Sequence, residues 1–187
     1  MEIRPERAED HPWVRKLHLA AFGDHGGVVV DLLDGLRRDM TVENGLSLVA
    51  DDGGAVVGHV MFTRSLLDAP RRLVEVQVLS PLAVLPDRQG EGIGSALIRD
   101  GIRVLGERLV PLVFLEGSPS YYSRLGFQPG ADSGFRKPAR RIPDPAFQVL
   151  TLPSYESWMT GTLVYSATFW EYDAVGLRDD EQEAPGR

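Results

Sequence analysis

One stretch of the sequence decides the fold, and it reads Leu82-Ala83-Val84-Leu85-Pro86-Asp87-Arg88-Gln89-Gly90-Glu91-Gly92-Ile93-Gly94-Ser95-Ala96-Leu97. An apolar extended segment leads into a loop with glycine at every second position, and that loop opens an amphipathic helix. Glycines let successive backbone N–H groups turn toward one point and let a ligand approach the chain closely. Because the N-terminus of a helix also carries positive partial charge, the turn predicts a site for phosphate or pyrophosphate. The alternative is a tight strand-to-helix turn that needs flexible residues and binds nothing.

The segments on either side of the turn predict a parallel βαβ unit. The run Leu73–Val84 is extended, residues 92–109 repeat apolar side chains with helical spacing, and residues 111–115 form a short, wholly apolar strand. A strand, a crossover helix and a second strand of these lengths are typical of parallel pairing.

The rest of the chain predicts further strands and helices around this unit. Before it we expect a strand at 2–4, helices at 11–22 and 28–38 separated by Gly26-Gly27, and strands at 46–50 and 55–63 joined by the turn Asp51-Asp52-Gly53-Gly54. After it we expect a short helix at 120–125 ended by Gly126, and strands at 148–152 and 162–169.

Composition bounds the class of protein. The 187 residues are predicted to form one domain over 1–177 and a polar, disordered tail over 178–187. The absence of cysteine excludes thiolate metal sites, cysteine nucleophiles and disulfides, and the histidines lack metal-ligand spacing, so no metal is expected. A net charge of -7 argues against a nucleic-acid partner. No signal peptide and no membrane span are evident, which predicts a cytoplasmic protein with no membrane partner.

Two nucleotide-binding motifs fail on spacing. A P-loop requires Gly-Lys followed by Ser or Thr, and no such lysine is present in the turn. A Rossmann fingerprint requires G-x-G-x-x-G/A, but the frame that begins at Gly90 meets Ser95 and the frame that begins at Gly92 meets Leu97.

Two motifs resemble those of the GNAT acyltransferases. Gln89-Gly90-Glu91-Gly92-Ile93-Gly94 matches the signature Q/R-x-x-G-x-G/A, and Pro119-Ser120-Tyr121-Tyr122-Ser123-Arg124-Leu125-Gly126-Phe127 resembles the family's Tyr-x-x-x-Gly-Phe segment. The run Leu115-Glu116-Gly117-Ser118-Pro119-Ser120-Tyr121-Tyr122 is most similar to the YhbS-like bacterial branch. The resemblance covers nearly the whole chain. It implies a single α/β domain, with a mixed, mostly antiparallel sheet flanked by helices and a splayed pair of central strands.

The resemblance also implies acetyl-CoA as cosubstrate and assigns residues to it. Pantetheine would pair with the backbone of Leu82, Ala83 and Val84 like an added strand, with the Val84 N–H aimed at the thioester carbonyl. Pyrophosphate would lie over the N–H groups of the turn, which are those of Gln89, Gly90, Glu91, Gly92, Ile93, Gly94 and Ser95. Tyr122 occupies the position of the family's general acid, whereas the ring of Tyr121 is expected to pack.

The general base that deprotonates the acceptor is less determined. Glu75 on the long strand and Glu116 at the end of the next strand are the candidates. The alternative for each is a surface carboxylate or one that braces a loop. An aromatic group made of Tyr165, Phe169, Trp170 and Tyr172 either lines an acceptor cleft or packs in the core.

The function implied is an N-acetyltransferase that transfers an acetyl group to a primary amine by direct attack in a ternary complex. A non-catalytic CoA-binding regulatory module and a transferase of a longer acyl group remain open. So does the acceptor, which could be a small metabolite, an antibiotic, a peptide N-terminus or a protein lysine. The oligomeric state is also open, a homodimer included.

Overall fold

The computed structural model describes residues 1–176, and residues 177–187, which contain the tail expected at 178–187, lie outside the described residues. The described chain contains nine strands, five α-helices and six short 3₁₀ helices. The strands are β1 (Glu2–Pro5), β2 (Gly45–Asp52), β3 (Ala55–Asp68), β4 (Leu73–Val84), β5 (Leu112–Glu116), β6 (Gln128–Pro129), β7 (Phe135–Arg136), β8 (Phe147–Thr151) and β9 (Gly161–Val164). The helices are α1 (His11–Phe22), α2 (Gly26–Asp39), α3 (Ile93–Glu107), α4 (Pro119–Tyr122) and α5 (Ala167–Glu171).

All nine strands belong to one mixed sheet. Its main order is β1-β2-β3-β4-β5-β8-β6, and β9 pairs with both β3 and β7. Pairing is antiparallel except between β4 and β5 and between β7 and β9. The predicted fold class, an α/β domain with a mostly antiparallel sheet, is confirmed, and so is the parallel β4-α3-β5 unit.

Helices cover both faces of the sheet and create two apolar cores. Under α3 the core includes Ile93 and Leu97 of the helix and Phe62 of β3. A side chain at Gly101 would collide with the Phe62 ring, so this glycine lets α3 lie close to the sheet. On the other face, α1, α2 and α5 cover a larger core that includes Leu33. Among residues 1–176, no helix is long and apolar enough to cross a membrane.

Three of the differences between predicted and observed boundaries have a packing or pairing cause. Helix α2 begins at Gly26, because this glycine allows close helix packing: a Cβ there would lie 2.8 Å from the Leu19 Cα. Strand β3 continues to Asp68, since its last residues pair with β9. The strand predicted at 162–169 is wrong beyond Val164, where the chain turns into α5 and packs against α2.

Candidate active site

The central strands separate at a bulge in β4. Val60 pairs with Leu82 and Phe62 pairs with Leu79, so Ser80 and Pro81 together oppose one residue of β3. Within the described chain, β4 and β5 pair only through residues 77–78 and 113–114. The end of β4 therefore presents an unpaired backbone edge on the side toward β5.

The direction of the N–H groups along this edge follows from one hydrogen bond. The Leu85 N–H donates to the Val57 carbonyl of β3 at 3.0 Å. Because neighbouring residues of a strand direct their N–H groups to opposite sides, the N–H and carbonyl of Val84 face away from β3, and those of Leu82 do the same. Consistent with this, the Val84 carbonyl accepts from the Gln89 side-chain amide at 3.2 Å. The edge thus offers two N–H donors to the gap between the strands.

The glycine turn directs further N–H groups into the same gap. Gly90 and Gly92 both have φ of +83°, a left-handed conformation that favours glycine. A Cβ at either position would meet nothing within 4 Å, so the backbone conformation and not crowding requires glycine. The first hydrogen bond of α3 runs from the Ala96 N–H to the Gly92 carbonyl, which leaves the N–H groups of residues 93–95 free for a ligand.

These backbone groups line one cleft of about 620 Å³. It contains the predicted residues Leu82, Ala83, Val84, Gln89, Gly90, Gly92, Ile93, Gly94 and Ser95, but neither Glu91 nor Tyr122 is part of its lining. It also contains Ala21, Phe22, Arg88 and Arg124, which sequence reasoning did not assign. Tyr121 lines the cleft as well, whereas the sequence prediction had its ring only pack. The two α1 residues carry no motif, so only the tertiary packing of α1 against β4 reveals them.

Two arginines line the cleft, and only Arg124 leaves its positive charge unpaired within the described residues. Arg88 forms ion pairs with Asp52 at 3.0 Å and with Glu91 at 2.9 Å. The second pair holds the Glu91 side chain against the Arg88 guanidinium. Arg124 is exposed and forms no ion pair within the described residues. Its guanidinium is therefore available to an anionic ligand.

The adjacent tyrosines occupy different environments. The Tyr121 hydroxyl lies 3.4 Å from the Ser95 hydroxyl, at the N-terminus of α3. The Tyr122 ring is half-buried and packs edge-on against Phe127, with ring centroids 5.8 Å apart. Burial raises the pKa of Tyr122 well above its usual range, so its hydroxyl stays protonated at neutral pH. A proton donor needs that protonation state.

The two candidate bases lie far apart. Glu75 precedes Leu82 by seven residues, about 23 Å along an extended strand. Its side chain is 68 % exposed and pairs with Arg64, so the structure does not bring it to the cleft. Glu116 ends β5, and the β4–β5 register carried two residues onward places it level with Ser80, where the strands separate. Burial raises the pKa of Glu116 above its ordinary value.

A buried polar network lies beneath the cleft. His18 Nε2 is 2.9 Å from His59 Nδ1, His59 Nε2 is 2.9 Å from the Ser47 hydroxyl, and that hydroxyl donates to Glu6 at 2.7 Å. Burial lowers the pKa of His18 to about 2 and lowers that of His59, so both rings are neutral. The His18 ring stacks on Phe22, one of the cleft residues. Residues 1–176 contain no group of three or more side chains arranged to hold a metal ion.

A splayed sheet with a glycine turn at the mouth of the gap defines the GNAT class of acetyltransferases. The family model described as "Acetyltransferase (GNAT) domain" matches residues 2–130, and the chain belongs to this family. It is 38 % identical to the uncharacterized N-acetyltransferase YjhQ of Escherichia coli over 67 % of this chain and 68 % of that protein.

Two solved structures are similar over almost their full length. YhbS from Escherichia coli in complex with CoA has a TM-score of 0.78 and 30 % identity, and the match covers 90 % of this chain and 91 % of YhbS. A GNAT acetyltransferase from Brucella melitensis in complex with acetyl-CoA has a TM-score of 0.70 and 32 % identity, with 90 % and 97 % covered. The expected family and branch are confirmed, and the chain is an acyltransferase.

Proposed function

We propose that the protein transfers the acetyl group of acetyl-CoA to a primary amine by direct attack in a ternary complex. The observation that carries this proposal is the single cleft in which the unpaired β4 edge and the glycine turn meet. The CoA and acetyl-CoA complexes of the two similar structures support the same ligand here. A cytoplasmic location is part of the proposal, and a chain without cysteine is compatible with that reducing compartment.

Acetyl-CoA is proposed to lie along β4 and end at the turn. Its pyrophosphate accepts from the N–H groups at the start of α3, where the helix dipole adds to the attraction. Its pantetheine arm pairs with Leu82 and Val84 as an added strand would. Arg124 supplies a positive charge near the phosphates. In this arrangement the thioester lies between β4 and β5, beside the edge N–H groups.

Glu116 is the base that this arrangement favours. An acceptor ammonium, with an ordinary pKa near about 10.4, must lose a proton before it can attack. A buried carboxylate and a buried ammonium are both penalised by desolvation, and that penalty favours the neutral pair of carboxylic acid and amine. Glu116 therefore takes one proton, and the free amine attacks the thioester carbon.

The remaining steps use the β4 edge and Tyr122. The N–H of Val84 donates to the oxyanion, an effect worth roughly 3–4 kcal/mol in comparable sites. Collapse breaks the carbon–sulfur bond. The proton that the CoA thiolate takes is assigned to Tyr122, which does not line the cleft itself but whose ring lies 4.9 Å from that of the cleft residue Tyr121. As the amide forms, its nitrogen loses a proton. Solvent carries a proton back to the Tyr122 phenolate, which restores the hydroxyl. Overall, acetyl-CoA and an ammonium yield an amide, CoA and one released proton.

The acid role of Tyr122 can be tested by Tyr122→Phe. We expect turnover to fall about 100-fold, the lower part of the range for general-acid assistance, because a thiolate is already a tolerable leaving group. The acetyl-CoA dissociation constant, measured by calorimetry, should change less than about twofold.

Tyr121→Phe is the matched variant, and because Tyr121 lines the cleft it should weaken CoA binding more than turnover. Full turnover of Tyr122→Phe with chemistry rate-limiting would refute the acid role. An absence of thiol release from acetyl-CoA and any amine would favour the regulatory module. Faster thiol release from a longer acyl-CoA than from acetyl-CoA would favour a transferase of a longer acyl group.

A further inference from the structure

One wall of the cleft is a phenylalanine at the very end of helix α1. Phe22 lines the cleft together with Ala21, and 37 % of the Phe22 residue is exposed. Gly23, the next residue, adopts a left-handed φ of +54°, so α1 ends at the ring. No further turn of α1 restrains Phe22. The position of its ring therefore depends on the side chains beside it.

His18, one helical turn earlier, supplies such a side chain and links the ring to the central strands. The His18 and Phe22 rings stack with planes 7° apart and centroids 5.8 Å apart. His18 is fully buried and lies 2.9 Å, Nε2 to Nδ1, from His59 of β3. His59 pairs with Ala83 of β4, and residues paired in antiparallel strands direct their side chains to the same face. The stack thus places the Phe22 ring above the β4 edge, where pantetheine is proposed to bind.

A chain of hydrogen bonds fixes the orientation of the His18 ring. Arg37 donates to Glu6 at 2.5 Å, so this carboxylate is charged and only accepts. Ser47 donates its single proton to Glu6, so its oxygen accepts from His59 Nε2. A neutral imidazole has one N–H, so His59 Nδ1 must accept from His18 Nε2. His18 Nδ1 is then unprotonated, and it has no hydrogen-bond partner within the described residues. Only one orientation of the His18 ring presents its N–H to His59.

We propose that Phe22 binds the acyl-pantetheine part of acetyl-CoA and that His18 is a positioning residue, which acts on this ligand through the Phe22 ring. The inference rests on the proposed function, because acetyl-CoA is the ligand. The methylene groups of pantetheine and the acetyl methyl are apolar, so they favour contact with an exposed aromatic ring over contact with water. A ligand that covers the exposed 37 % of Phe22 gains about threefold to sevenfold in affinity from this contact.

The test uses calorimetry with acetyl-CoA and with 3′-phospho-ADP, the part of CoA that lacks pantetheine. In Phe22→Ala we expect the acetyl-CoA dissociation constant to rise about threefold to sevenfold, whereas that of 3′-phospho-ADP stays the same. The value of kcat should stay within about twofold, because the lost contact is made equally in the ground state and the transition state. Leu19→Ala is the matched control, since Leu19 is also an exposed apolar residue of α1 but is not part of the cleft lining.

The two ligands separate the possible outcomes. An acetyl-CoA affinity of Phe22→Ala within about twofold of the wild type would overturn the inference and leave the proposed function standing. An equal loss for both ligands would also overturn it, because the change would then disturb the whole cleft. No binding of acetyl-CoA to the wild-type protein would refute the proposed function itself.

His18→Gln tests whether the histidine acts through Phe22. Glutamine keeps an N–H near the position of Nε2 but provides no ring for the stack. We expect this variant to lose acetyl-CoA affinity by about the same factor as Phe22→Ala, and the double variant to lose no more than Phe22→Ala alone. No loss in His18→Gln, or losses that add in the double variant, would overturn the positioning role.

Nitrogen-15 NMR of the wild-type protein tests the hydrogen-bond chain even if His18→Gln does not fold. Near pH 7, the Nδ1 resonances of His18 and His59 should be those of unprotonated nitrogens, and both Nε2 resonances those of N–H groups. A protonated Nδ1 on either ring would overturn the chain that orients His18.

Discussion

Gly94→Val should abolish CoA binding without unfolding the protein. Gly94 lies in the first turn of α3, and a Cβ there would be 2.8 Å from the Tyr121 hydroxyl and 3.6 Å from the Val84 side chain. The valine methyls would therefore occupy the cleft over the N–H groups proposed to hold pyrophosphate. Hydrogen bonds to a charged group contribute about 1.5–3 kcal/mol each, so the loss of two corresponds to about 3–6 kcal/mol. The dissociation constant for CoA should rise about 10²–10⁴-fold.

Gly106→Val is the matched control in the same helix. A Cβ at Gly106 meets nothing within 4 Å, so the substitution repeats the chemical change far from the cleft. CoA at about 100 times its dissociation constant should stabilise the native protein by about 2.7 kcal/mol, a rise in Tm of about 5–10 °C. The wild type and Gly106→Val should show this rise in thermal melting, whereas Gly94→Val should not. Calorimetry that gives Gly94→Val a CoA affinity within about threefold of the wild type would refute the placement of pyrophosphate.

Two further predictions concern charge. Arg124→Gln should weaken CoA binding up to about fivefold at low salt and much less at high salt. An exposed ion pair contributes up to about 1 kcal/mol, and dissolved salt screens it. An affinity loss that does not depend on salt concentration would contradict this prediction. Acidification from about pH 7 to about pH 5.5 should lower the unfolding free energy by at least about 1 kcal/mol, because His18 binds a proton in the unfolded chain, near pH 6.5, well before it does so in the folded one. The lowered pKa of His59 adds to this loss. Chemical denaturation at several pH values checks this, and a flat profile would rule out buried neutral rings.

The sequence predicts the parts of the site that are local in the chain. The strand, turn and helix between Leu82 and Leu97 lie within a few residues of one another, so their spacing alone indicates how N–H groups converge. The left-handed conformation of Gly126 can likewise be predicted, because this glycine directly follows the short helix that it ends. For the same reason the fold class is predictable from one βαβ unit and its flanking strands.

The parts that could not be predicted depend on residues far apart in sequence. Glu116 meets Tyr165 across 49 positions, and neither residue carries a motif that indicates the other. The contribution of α1 to the cleft depends on how this helix packs on β4. Similarly, Gly26 appeared to separate two helices, whereas tertiary packing uses it as a contact point within the first turn of α2. In each case long-range packing decides what local preference leaves open.

The most direct test of the central claim is an initial-rate study with acetyl-CoA and n-butylamine varied together. Thiol release reports turnover, and mass spectrometry should show the amine heavier by one acetyl group. For direct attack in a ternary complex, the double-reciprocal lines at different fixed amine concentrations should intersect. Parallel lines would indicate a covalent acyl-enzyme intermediate and contradict the account, since acyl transfer would then proceed in two separate steps.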